Sequence, residues 1–122
     1  MDPQKAKDLV CRYFHRLLNE KDIAVCDEVL SPAYVDHDAP PETPPGPASI
    51  KDFVSGFLDD HPDMCVTVED VSVRDNKVAA RLTWKGTNRH TGALFHQVGA
   101  VIIVLDEAGR FVERWSAYEP VN

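Results

Sequence analysis

A chain of 122 residues suffices for one domain with a core of several helices and strands, and 43% hydrophobic residues is an ordinary globular proportion. The net charge of −7, from 13 basic against 20 acidic residues, leaves no basic face for phosphate-backbone binding and excludes nucleic acid as the expected partner. No apolar run approaches the roughly 20 residues of a membrane helix, and the start, MDPQKAKDL, carries no apolar secretion segment. The expectation is therefore a single domain over residues 1–122, cytoplasmic and with no membrane association. Cys11, Cys26 and Cys65 are odd in number, far apart and without a CxxC pair, so free thiols are expected.

Asp2 followed by Pro3 is a helix start signal, and Ala6, Leu9, Val10, Tyr13, Phe14, Leu17 and Leu18 recur at spacings of three and four. That period predicts a helix of about four turns. Asp22 is placed to cap a shorter helix carrying Ile23, Cys26, Val29 and Leu30, which Ser31-Pro32 ends. The next stretch, AYVDHDAPPETPPGP, begins extended and then holds five prolines and a glycine between Pro40 and Pro47. Such a run excludes helix and central strand and predicts a stiff surface loop, a rim or lid beside a pocket. Pro47 opens a third helix, with Ser49 and Asp52 spaced as a capping box and Ile50, Phe53, Val54, Phe57 and Leu58 on one face, ending at His61-Pro62.

From Met64 the period becomes two. Val66 and Val68 alternate, then Val71 and Val73 on the other parity, which predicts a bulge or bend at Glu69-Asp70. Asp75-Asn76 is a tight turn into KVAARLTWKGT, where Val78, Ala80, Leu82 and Trp84 face one way and Ala79, Arg81, Thr83 and Lys85 the other. After the NRHTG loop, ALFHQVGAVIIVLD and RFVERWSAYE complete a meander of about four long strands. Three helices followed by a meander predict an α+β domain with the helices on one face of a sheet that curls around them into a cone. The mouth of the cone is the expected small-molecule cavity, with Phe14, Phe53, Phe57, Trp84 and Trp115 as walls for a hydrophobic ligand.

LSPAYVDHD (30–38), GPASIKDFV (46–54), HPDMCVTVEDVSVRDNKVAARLTWKGT (61–87) and GRFVERW (109–115) follow one another with their spacing kept. On these segments the chain resembles the SnoaL-like polyketide cyclases, or ester cyclases, of the cone-shaped nuclear-transport-factor-2-like (cystatin-like) superfamily. The resemblance implies a cofactor-free intramolecular aldol cyclisation of a polyketide ester, run by one carboxylate in the cone, and a homodimer. In the family that carboxylate is an aspartate a few residues after the tryptophan of the last strand; here the position four beyond Trp115 is Glu119.

Aldol closure needs a base to take an α-proton and an acid to protonate the new alkoxide, and one buried carboxyl group serves both. Counting by two, Phe111, Glu113, Trp115, Ala117 and Glu119 share a face, which predicts Glu119 in the pocket as the catalytic group. The alternative is a solvated residue near a frayed end. In the Asp36-His37-Asp38 cluster, Val35 and His37 point one way and the two aspartates the other. His37 matches the family's histidine and is expected on the inner wall beside the substrate, the alternative being that it caps a helix end or holds the proline loop. His96 is a second candidate polar group in the cone if it faces inward. His37, Asp36 and His96 have the types of metal ligands but no ligand spacing, so no metal and no cofactor is expected. Arg81 and Thr83 on the outer side of the sheet are placed to meet a second copy. Two further readings stand beside the cyclase or isomerase: a ligand-binding or accessory dimer without chemistry, and a hydrolase of the epoxide-hydrolase type.

Overall fold

The computed structural model describes residues 2–121. Helix α1 (Pro3–Phe14) starts as its sequence predicts: Pro3 fills the first position and the Asp2 carboxylate accepts from the Gln4 N–H at 3.0 Å. It runs on into a π-helical turn (His15–Asn19) that buries Leu17 and Leu18. Helix α2 (Val25–Val29) begins later than expected and has no side-chain cap. Asp22 is drawn instead into an ion pair with Arg16 at 2.6 Å.

Leu30, expected in that helix, opens strand β1 (Leu30–Asp36). The proline loop leads to helix α3 (Pro47–Asp60), whose predicted capping box does not form. Gly46 takes the N-cap place with φ +100, its N–H donates to the Tyr34 carbonyl at 2.8 Å, and a Cβ there would lie 3.1 Å from the Pro32 carbonyl oxygen. Ser49 donates to the Pro44 carbonyl at 3.3 Å. A glycine is therefore what lets the loop close against β1 before the helix starts.

Strands β2 (Cys65–Arg74), β3 (Lys77–Thr87), β4 (Leu94–Leu105) and β5 (Phe111–Pro120) form the expected antiparallel meander. Its register shifts between Val68 and Asp70, where the valine parity changes, and Asp75 makes the turn into β3 at φ +58. A fifth strand extends it: β1 pairs parallel with β5, giving the order β1-β5-β4-β3-β2 and a mixed sheet. Pro32 is tolerated there because β1 is an edge strand with an irregularity between Leu30 and Val35. Val78, Ala80, Leu82, Trp84, Ile103 and Phe111 of the sheet are buried in one core with Tyr13 and Phe14 of α1.

A second register shift lies in β5. Val104 pairs with Glu113 but Leu105 with Phe111, which leaves Val112 as an extra residue. Phe111 points into the core before this bulge, and Arg114, Ser116 and Tyr118 face inward after it. Opposite Tyr118 stands Gly99, where a Cβ would collide with the Ala117 carbonyl and the Tyr118 ring, so a bare backbone lets that ring lie across the sheet.

The π turn does a specific job at the other edge. The Val66 N–H donates to Asn19 Oδ1 at 2.7 Å and Asn19 Nδ2 donates to the Val66 carbonyl at 2.9 Å, so one carboxamide completes the outer edge of β2 at that residue. Asn19→Ala should lower unfolding free energy by about 1–3 kcal/mol, read as a lower midpoint in urea with an unchanged m-value. The thiols give a second test. Burial pushes the Cys26 thiol up to about 11, whereas Cys65 is exposed. An aromatic disulfide reagent at pH 8 should label Cys65 rapidly, half-buried Cys11 more slowly, and Cys26 only on unfolding.

Candidate functional site

Between the helices and the concave face of the sheet lies a cavity of about 380 Å³. Its walls are largely aromatic. Phe57 packs edge-on against Trp84 and Phe95, with centroids 5.9 and 5.3 Å apart, and Trp84 meets Tyr118 in the same way at 5.8 Å. Phe14 and Phe53 complete the apolar lining, so four of the five expected wall residues are brought together here. The Trp84 Nε1 and the Tyr13 hydroxyl are buried with no hydrogen-bond partner among the described residues.

The polar part of the lining comes from the strands. Gln97 on β4 and Arg114, Ser116 and Tyr118 on β5 face the cavity. Arg114 donates from Nε to Ser116 Oγ at 2.9 Å and from Nη2 to the Tyr118 hydroxyl at 2.7 Å, and its guanidinium lies 5.4 Å from the centre of the Phe14 ring. Burial pushes the Tyr34 phenol up to about 12 and that of Tyr13 well above its usual value, so both stay neutral beside this cation at physiological pH.

Two carboxylates stand where the cavity meets a second cleft of about 590 Å³ under the proline loop: Asp36 and Asp38 line both. The alternation in β1 puts them there. Asp36 is in register with Arg114, and beyond the strand end the Asp38 carboxylate accepts from the Ser116 N–H, extending the ladder with a side chain. Asp36 Oδ1 in turn accepts the Asp38 N–H at 2.9 Å, which fixes the turn. Pro40, Thr43 and Pro44 form the far wall of this outer cleft, the rim expected of the proline run.

The other candidates lie on the opposite face of the sheet, and the expectation that they face the pocket is corrected. Trp115 is 41% exposed, and the His37 ring stacks on it at 4.4 Å and 9° while its Nε2 sits 2.9 Å from the Glu113 carboxylate. Glu119 is exposed beside Val98 and Thr83 in an outer groove. His96 pairs in register with Lys85 and shares its outward parity, while its neighbours Phe95 and Gln97 line the cavity. The cause in β5 is the extra residue at Val112: counting by two from Phe111 passes through the bulge, and every later residue is assigned to the wrong face. The residues that the count missed are Arg114, Ser116 and Tyr118. The signal for them was the adjacent apolar pair Phe111-Val112, which breaks strict alternation at the strand start.

On the outer face, Arg81 is paired with Asp70 at 2.7 Å and Thr83 donates to Glu69 at 2.9 Å. Val98, Ile102 and Trp115 are exposed beside them.

No protein of curated function matches the chain by sequence. Among solved structures, TsrD from Streptomyces laurentii superposes with a TM-score of 0.87 at 21% identity, covering 98% of this chain and 91% of that one. A SnoaL-like polyketide cyclase from Agrobacterium tumefaciens gives 0.79 at 17% identity, over 98% and 93% of the two chains. IdmH from Streptomyces antibioticus gives 0.75 at 23%, again over 98% and 93%. At these identities the likeness establishes a shared fold, the helix-filled α+β cone that the sequence resemblance implies. The sequence itself matches the family model for SnoaL-like polyketide cyclase over residues 8–121. With the match spanning all five strands, helices α2 and α3 and the second half of α1, the chain belongs to the SnoaL-like polyketide cyclase family.

Proposed function

We propose that this protein is a cofactor-free cyclase or isomerase for a hydrophobic carbonyl substrate, with Asp38 as its acid/base group. The observation that carries the reading is the convergence of Asp36, Asp38, Ser116, Tyr118 and Gln97 on one aromatic-walled cavity. An apolar enclosure with a few convergent polar groups is the usual form of a small-molecule site. The Asp38 carboxylate is held by the Ser116 N–H, which leaves its second oxygen to take a proton from the carbon between two carbonyls. The resulting carbanion attacks a third carbonyl of the same molecule, one carbon–carbon bond forms as that carbonyl's π bond opens, and the protonated Asp38 returns its proton to the new alkoxide. Asp36 positions this base through the Asp38 N–H, and the Tyr118 and Ser116 hydroxyls and the Gln97 carboxamide are the groups that orient substrate carbonyls. Glu119 has no part in this reading because it stands across the sheet from the cavity.

The test is turnover of aromatic β-keto methyl esters that carry a further ketone within reach of ring closure, followed by absorbance and chromatography of the cyclised product. Asp38→Asn should lower kcat by on the order of 100-fold or more while ligand affinity is retained, and Glu119→Gln should match the wild type. Wild-type turnover in Asp38→Asn overturns the assignment.

One observation favours a second reading, a binding protein without chemistry: among the described lining residues, the carboxylates stand only where the cavity opens to the outer cleft. Recovery of the bound ester unchanged from wild type and Asp38→Asn alike would select it.

The outer face supports a further part of the proposal, pairing of two copies sheet against sheet over Val98, Ile102 and Trp115. Sedimentation should give a dimer for the wild type and a monomer for Ile102→Lys; a monomeric wild type removes this part.

A further inference from the structure

Arg114 has an environment that the acid/base scheme leaves unused. Its guanidinium lies in an apolar cavity, half-buried, against the Phe14 ring and two neutral hydroxyls. Among the described residues it makes no ion pair, whereas Arg16, Arg81 and Arg89 each do. Asp36 is its register partner, and the two do not close into a salt bridge. The phenols of Tyr13 and Tyr34 nearby are kept protonated by burial, so they supply no negative charge. Hydroxyls satisfy only part of a guanidinium's five-donor fork, and Asp36 acts on its charge through space without closing an ion pair, so a direct anionic partner for the fork is still open.

We infer that Arg114 is an anion anchor, and that the ligand of this cavity carries a singly charged oxygen acid on an apolar body, either a carboxylate or an ionised β-dicarbonyl. The inference rests on the reading of the cavity as a ligand site and adds the charge of the ligand to it. The geometry suits such a group. A planar fork recognises two coplanar oxygens bidentately, and both proposed anions present two oxygens in a plane. Ser116 and Tyr118, already bonded to Arg114, can each turn a hydroxyl proton toward the same anion, since they accept from the guanidinium and remain free to donate.

The outer cleft limits the charge. Asp36, Asp38, Glu42 and Asp52 line the way in, and four carboxylates repel phosphates and other multiply charged anions. At this open entrance water and salt screen them, while inside the apolar cavity the attraction of Arg114 for one negative charge is far less screened. A monoanion with a hydrophobic ring passes the first and is held by the second.

The test compares 2-naphthoate with methyl 2-naphthoate, the same ring with and without the charge, by calorimetric titration of the full-length protein. The acid should bind about tenfold more tightly than the ester, a difference of about 1.4 kcal/mol. Arg114→Gln should abolish that preference and Arg114→Lys should retain part of it. An aryl-substituted 1,3-dione, ionised at the assay pH, distinguishes the two sources: tighter binding than naphthoate identifies the β-dicarbonyl, weaker binding the carboxylate. Ester binding as tight as that of the acid overturns the inference and leaves the cavity reading in place, and absence of binding by every probe overturns both. The wild-type comparison decides the matter even if Arg114→Gln fails to fold.

Discussion

The extra residue at Val112 sets which side chains line the cavity of this protein. Strand β5 runs between β1 and β4 through the middle of the cavity wall, so its parity decides which half of its side chains faces the cavity. With the bulge, Arg114, Ser116 and Tyr118 face the cavity, and Glu113, Trp115 and Glu119 face outward. Without it the wall would carry carboxylates and an indole. One inserted residue exchanges the whole set, because side chains in a strand alternate with period two. The bulge also lets Phe111 stay in the core, where its ring meets Tyr13 edge-on at 5.0 Å, so the start of the strand is anchored independently of what its end displays.

Strand β1 depends on this arrangement and then completes it. Its parallel pairing brings Asp36 level with Arg114, and the His37 N–H donates to the Arg114 carbonyl at 2.9 Å. Beyond that point the backbone turns away toward the proline loop and the Asp38 carboxylate takes over as acceptor for the Ser116 N–H. His37 holds the same turn from the opposite face by stacking on Trp115. A histidine and a tryptophan outside the cavity thus clamp the segment whose two neighbours line it. Gly46, closing on the Tyr34 carbonyl, fixes the other end of the loop, so both ends of the cavity's rim are tied to one edge strand.

Much of this was legible in the sequence, and the boundary of legibility has a physical cause. The faces of α1, α3 and β3 could be read because one side of each is buried and the other solvated, which writes a clean period into the residues. The bulge in β2 could be read because valines sit on both sides of it and change parity across it. The bulge in β5 is marked only by the adjacent apolar pair Phe111-Val112 and is masked beyond it, since apolar Trp115 and Ala117 lie on the outer face and polar Arg114 and Ser116 on the inner one. That is the reverse of the usual pattern, and it arises where a sheet lines a cavity on one side and exposes apolar surface on the other. β1 was hidden for a different reason: it is short, contains Pro32, and owes its pairing to a partner some 80 residues away, which no local pattern records.

The electrostatic design of the cavity follows from the same inversion. An apolar cone needs polar groups only where a ligand's polar atoms are to be placed, and here they are sorted by position. The carboxylates stand at the junction with the outer cleft, where water can reach them, while the lone guanidinium lies among aromatic rings and neutral hydroxyls. Exchanging the two sets would bury acid deep in the cone, where desolvation favours its neutral form, and would expose the cation to screening. As arranged, the carboxylates can exchange protons with water and the guanidinium stands in the medium where its field is least attenuated. The fold supplies this separation without any long-range device, because one edge strand contributes the acids and its immediate neighbour, about 4.8 Å away by the ordinary spacing of paired strands, contributes the arginine.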